Sequence, residues 1–200
     1  MIQLSTLILA AGRSHRFNGN KLLTRLPDGQ LMVLRIIAQC AAVTENIMVV
    51  TGAHHKQLSR HLPDNVNIIY NPDWHEGMSG SIATGVQQIH QCYPTTTHIL
   101  IMLGDLPAVT APSLEVLKEV AELEPEKMVA SYWDGKCTAP AIFPGQYWPH
   151  LRQLQGDNGA GRLLNNGLYQ QPPQTFPVPH PEAALDIDTT EALKKLAQRL

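Results

Sequence analysis

The chain has 200 residues, 44% apolar and 16% charged, with a formal net charge of −2 at pH 7. That length and composition suit one domain with a substantial core and exclude a disordered chain. The charge, without any sustained basic run, argues against nucleic acid or an anionic membrane as partner, and no apolar run approaches the roughly 20 residues of a membrane span.

The first apolar run, Leu4–Ala10, has no basic leader and enters a loop of small residues. It reads as a strand rather than an export signal, and the protein is expected in the cytoplasm. Asn46–Thr51, 66–70 and His98–Leu103 are similar Ile/Val/Leu-rich runs without clean alternation, the pattern of parallel strands covered on both faces. Helical segments are expected between them over 31–43, 54–61 and 79–90, where Ile82, Val86 and Ile89 recur at helical spacing. Ser113 is expected to cap the next helix, with Val116, Leu117, Val120 and Leu123 as its apolar stripe before Pro125. Further strands are expected over 128–132 and 141–143, a short helix over 157–164 and a last helix over 189–199. The Pro-rich stretch 172–181 is expected to form no regular element. The alternation gives a three-layer α/β sandwich. Cys40, Cys92 and Cys137 lack C-x-x-C spacing and read as reduced, mostly buried thiols.

Strand one runs into Leu9-Ala10-Ala11-Gly12-Arg13-Ser14-His15-Arg16-Phe17-Asn18-Gly19-Asn20-Lys21. Small residues let backbone N–H groups approach anionic oxygens, Arg13 and Arg16 can bind them bidentately, and Lys21 adds a compact charge. Ligands of open α/β sheets bind beyond the carboxyl ends of the strands, where this loop lies. A polar surface loop with scattered cations is the plainer alternative. The P-loop pattern G-x-x-x-x-G-K-[ST] and the dinucleotide pattern G-x-G-x-x-G are both absent. The fourth strand ends at Gly104-Asp105-Leu106-Pro107, which puts a carboxylate at the same edge, and Mg²⁺ is commonly held by one or two carboxylates plus substrate phosphates. Asp186 and Asp188 are an alternating pair that offers an inward acid if the segment is extended, although Asp188 before Thr189-Thr190-Glu191 also suits a helix cap. Nine histidines are present, but the adjacent pair His54 and His55 diverge on a helix, so no zinc site is expected. Trp74, Trp133 and Trp148 are expected mainly in the core or at its rim, Trp133 near the acceptor side.

The loop resembles the pattern L-A-A-G-x-S-x-R-[MF]-G-x-x-K of the MobA-like NTP transferases, and within them the molybdenum cofactor cytidylyltransferases. Asn18 stands where Gly is usual, with Gly19 following. The resemblance extends to G-D-x-P at Gly104 to Pro107 and D-[IV]-[DN]-T at Asp186 to Thr189. It continues in N-P-x-x-x-x-G-M-x-x-S-[IL] from Asn71, P-x-x-F from Pro140, and G-D-x-G-A-R from Gly156, where Arg162 is displaced by one position. It implies a mostly parallel, Rossmann-like sheet of the nucleotide-diphospho-sugar transferase type. It also implies nucleotide contacts at Leu9, Ala10, Ala11, Gly12, Arg13, Lys21, Gly77, Met78, Ser79 and Gly104. Lys21, Arg13, Arg16 and Asp105 become the catalytic set, Asp105 and Asp188 the Mg²⁺ ligands with Asp186 as the substitute, and Asp157 and Arg162 the acceptor contacts. A phosphate at the helix start near Gly77 is an alternative to base contact there.

The implied reaction moves NMP from Mg-NTP, CTP favoured, to the phosphate of a molybdopterin acceptor, with release of pyrophosphate. The part before about residue 110 would bind nucleotide, and the part from 111 on would bind acceptor and carry the second acid. A molybdenum hydroxylase is the implied client. The rival readings are GTP as donor, a sugar or alditol phosphate as acceptor, and a non-catalytic cofactor carrier.

Overall fold

The computed structural model describes residues 1–187 apart from His15, Arg16, Asn18 and Asn158. Arg16, Asp188 and the helix expected over 189–199 lie outside the described residues. The strands are β1 (Leu4–Ala10), β2 (Asn46–Thr51), β3 (Asn67–Tyr70), β4 (His98–Leu103), β5 (Met128–Trp133), β6 (Lys136–Pro144) and β7 (Thr175–Pro179). The helices are α1 (Met32–Ala41), α2 (His55–Leu58), α3 (Met78–Cys92), α4 (Ala111–Leu123), α5 (Trp148–Arg152) and α6 (Gly161–Leu168).

One seven-stranded sheet has the order β3-β2-β1-β4-β6-β5-β7. β1 to β4 are parallel, β6 runs antiparallel to both β4 and β5, and β7 is parallel to β5. The carboxyl ends of β1, β4 and β5 therefore share one edge. Chain order reverses between β1 and β4, and that reversal opens a crevice at their carboxyl ends.

Every residue of β1 is buried, because helices cover both faces. Ile8 and Ala10 face α1 and α4 through Met32, Ile36, Leu114 and Leu117. Leu7 and Leu9 face the other layer, with Ile82, Val86 and Ile89 of α3 and Leu151 of α5. The close approach of α3 to β1 depends on Gly85, where an added Cβ would run into Leu7 Cδ1. Leu7 is fully buried. Gly85→Ala is expected to cost about 1–3 kcal/mol by overpacking, which exceeds the roughly 1 kcal/mol that Ala gains over Gly inside a helix. Urea unfolding checks this, and an unchanged or raised midpoint contradicts the packing argument.

Several elements differ from the sequence reading for identifiable reasons. In α4 the inward residues are Leu114, Leu117 and Ala121, whereas Val116 and Leu123 are 45% and 81% exposed. Thr110, not Ser113, is the N-cap; the Thr110 hydroxyl accepts from the Ser113 N–H, and the Ser113 hydroxyl accepts from the Thr110 N–H. Residues 141–143 are only the end of the longer β6, which forms a hairpin with β5 through Asp134 and Gly135, at φ 48° and 76°. The Pro-rich stretch does contain a strand. β7 lies at the sheet edge, where a proline without an N–H leaves no central ladder position unpaired. Helix α6 starts at Gly161 rather than 157, and α2 is a single turn.

Cys40 and Cys137 are buried, which pushes their thiols up to about 12 and about 11, while Cys92 is exposed. His98 and His180 are also buried. His98 is held by Pro125 O at 2.9 Å and by Thr97 Oγ1 at 2.9 Å. Burial holds both imidazoles below their ordinary value. Below pH about 6.5 the unfolded chain therefore takes up protons that the folded chain resists, so stability is full above that pH and declines as pH falls. Urea midpoints should drop between pH 7 and 5.5, and the drop should shrink in His98→Gln. Among the described residues, no helix is long and apolar enough to cross a membrane.

Candidate active site

At the β1–β4 reversal the chain encloses a cleft of about 520 Å³. Its floor is Leu9 to Gly12, held by neighbouring strands: Gly104 N–H donates to Leu9 O at 3.0 Å and Ala53 N–H to Ala11 O at 3.1 Å. Arg13 and Ser14 continue the rim, and Ser14 takes a left-handed φ of 57°. The His54 ring donates its Nε2–H to Arg13 O at 3.2 Å, tying the rim to the turn after β2.

A 3-10 turn at Lys21–Leu23 begins on Asn20, whose Oδ1 accepts from Leu22 N–H at 3.1 Å. Leu22 is buried against the backbone at Gly104, so Lys21 is fixed from behind. Its Nζ lies 2.6 Å from Asp105 Oδ2, with side-chain exposures of 14% and 21%. A cation and a carboxylate from distant positions thus meet on the cleft wall. The Asp105 carbonyl accepts from Ile187 N–H at 3.0 Å, which brings the C-terminal acid segment beside it. In that segment Ile187 is buried in the core and Asp186 is exposed, while Asp188 lies outside the described residues. That segment is anchored upstream by His180. Ser131 donates its one hydroxyl proton to Pro140 O at 2.8 Å, so His180 Nδ1 donates to Ser131 Oγ at 2.8 Å.

The opposite wall is Trp74, His75, Gly77, Met78 and Ser81, with Asp157 at its end. Trp74 seats its Cβ over Gly52, where a side chain would collide. Asn71 Nδ2 donates to Ser81 Oγ at 3.0 Å, and Asn71 Oδ1 accepts from Asp73 N–H at 3.0 Å.

The sequence matches the MobA-like NTP transferase domain over residues 6–173. The chain belongs to this family. It is a nucleotidyltransferase. Purine catabolism protein PucB of Bacillus subtilis (strain 168) is 28% identical over 169 residues, covering 80% of each chain. Molybdenum cofactor cytidylyltransferase of Escherichia coli (strain K12) is 23% identical over 194 residues, covering 96% of this chain and 94% of that protein. Rv0371c of Mycobacterium tuberculosis H37Rv, in a crystal structure with manganese, superposes with TM-score 0.78 at 22% identity, covering 99% and 100% of the two chains. It shares the fold.

In this nucleotidyltransferase the cleft gathers Leu9, Ala10, Ala11, Gly12, Arg13, Lys21, Gly77, Met78, Gly104, Asp105 and Asp157 of the residues expected from the sequence. Ser79 does not line it. Ser79 is only 1% exposed, and its backbone N–H donates to Gly156 O at 3.1 Å. Arg162 is exposed on the first turn of α6, away from the cleft lining. Ser81, Trp74 and His54 are additions to the sequence reading. Ser81 was legible as the Ser of the N-P-x-x-x-x-G-M-x-x-S segment, whereas His54 meets Arg13 from 41 positions away and has no local signal.

Among the described residues, no three His, Cys, Asp or Glu side chains group as a metal cage. The Asp105 carboxylate, which opens on the cleft at the β4 edge, is a hard oxygen ligand. It fits Mg²⁺, which takes few protein carboxylates and completes its shell with water and substrate oxygens, better than zinc.

Proposed function

We propose that this nucleotidyltransferase moves CMP from Mg-bound CTP to the phosphate of a molybdopterin-type acceptor and releases pyrophosphate. The observation that carries the reading is the Lys21–Asp105 pair at 2.6 Å, facing the Leu9–Gly12 backbone across one cleft. A carrier of finished cofactor would need neither group in that arrangement. The cytidylyltransferase relative supports the acceptor and base, and the manganese-bound neighbour supports a divalent cation.

In this reading the part before about residue 110 holds the donor, and the part from 111 on holds the acceptor and supplies Asp188. Asp105 and Asp188 would hold Mg²⁺, which would supply charge neutralisation between the two anionic phosphates. The backbone N–H groups of Ala11 and Gly12 and the guanidinium groups of Arg13 and Arg16 hold the leaving phosphates. Lys21 offsets charge that grows on the α-phosphate as the acceptor oxygen attacks. Gly77 and Met78 form the wall against the base. No general base is required, because the attacking phosphate is already ionised. Catalysis is positioning and electrostatics.

The test is pyrophosphate release with CTP, GTP, ATP or UTP in the presence of Mg²⁺ and molybdate-loaded molybdopterin. Release with CTP is expected. Release with GTP instead moves the donor assignment, and release with none overturns the acceptor.

A further inference from the structure

The segment bearing Gly156, Asp157 and Gly159 lies against the start of α3 through three separate contacts. The first is a hydrogen bond. The opening N–H groups of a helix have no partner within it, and that of Ser79 finds Gly156 O at 3.1 Å. The second is a seat at Gly77, whose φ of 111° is open to glycine; a Cβ there would lie 2.5 Å from Asp157 Oδ1 and 2.7 Å from Gly156 O. The Asp157 carboxylate thus occupies side-chain space at the positive end of the helix, where a negative charge is favoured. The third contact is a seat that runs in the other direction. Gly159, at φ 52°, receives the Met78 thioether, and a Cβ there would lie 2.8 Å from Met78 Sδ.

Gly77 and Met78 form the cleft wall with Asp157 at its end, and in the reading proposed above Asp157 belongs to the acceptor-side part of the chain. The contacts therefore clasp the donor wall to the acceptor side. They also fill the helix start with a carboxylate of the protein, leaving that end unsuited to a substrate phosphate.

We propose that Asp157 is a donor-positioning residue: it closes this clasp and holds the Gly77–Met78 wall in place for the nucleotide, rather than binding the acceptor. The donor part of the proposal rests on the nucleotidyl-transfer reading above; the clasp itself does not. Since binding couplings are reciprocal, an acceptor that contacts the clasped segment would tighten the donor site, and the donor would tighten the acceptor site equally.

Two measurements on the full-length chain test this. In the ligand-free protein, amide hydrogen exchange at Ser79 is expected to rise at least about tenfold in Asp157→Ala and in Gly159→Ala, with global melting little changed. Titration calorimetry with Mg-bound CTP and no acceptor is expected to show about tenfold weaker binding in both variants, because the wall they support makes direct nucleotide contact. Asp157→Asn, which fills the seat without the charge, should fall between them and wild type. Wild-type nucleotide affinity in Asp157→Ala, with only the acceptor KM raised, would overturn the proposal and make Asp157 an acceptor ligand. Unchanged exchange at Ser79 would overturn the clasp. A wild-type chain that binds none of the four NTPs would defeat the nucleotide reading, while Ser79 exchange would still decide the clasp.

Discussion

Asp105→Asn is expected to lower turnover by about 10²–10³-fold or more, and to raise the Mg²⁺ concentration needed for half-maximal activity. The amide has nearly the shape of the carboxylate, and its oxygen can still accept from Lys21 Nζ, now at 2.6 Å from Asp105 Oδ2. The main-chain link from Ile187 N–H to Asp105 O does not involve the side chain and survives. What disappears is negative charge at the one carboxylate on the β4 edge of the cleft. A change in local geometry is thereby separated from a change in charge, and the melting midpoint should move little because Asp105 is 21% exposed. Pyrophosphate release measured across a Mg²⁺ titration checks both parts. Turnover within about threefold of wild type would remove Asp105 from the reaction.

The legible part of the site was the part written in local sequence. A buried β1 entering a loop of small residues, and an Asp ending β4, meet wherever two parallel strands are neighbours, so Lys21 and Asp105 could be expected at one edge. The residues that were misplaced depend on a phase or a partner that spacing does not encode. Ser79 and Ser81 are two positions apart on α3, about 200° around the axis, so only one of them lines the cleft, and it is Ser81. Which one faces in was set by where the helix starts, at Met78 after a left-handed Gly77. In the segment after Leu185 the burial of Ile187 fixes the phase, which spacing alone left open. β7 was concealed by its prolines, which forbid a central strand but allow an edge one; only the sheet order shows that it is an edge.

Lys21→Ala should lower kcat by about 10²–10³-fold while raising the NTP KM far less. The asymmetry follows from where the charge is needed. An ammonium that binds ground-state and transition-state phosphate equally would appear in KM, whereas one held beside the growing charge appears in kcat. Lys21 is built for the second role: Leu22 is buried behind it, Asn20 caps its turn, and Nζ is fixed at 2.6 Å from Asp105 Oδ2 rather than free to follow the substrate. The fold should hold, because neither partner is fully buried and water can reach Asp105 once the lysine is gone. Lys21→Arg supplies a further discrimination. It keeps the positive charge but replaces a point charge with a larger planar fork, so it should recover nucleotide binding better than turnover. Steady-state pyrophosphate release with CTP, analysed for kcat and KM separately, decides the matter. A variant with full kcat and a raised KM would reassign Lys21 to donor binding alone, and one with both constants unchanged would exclude it from the site.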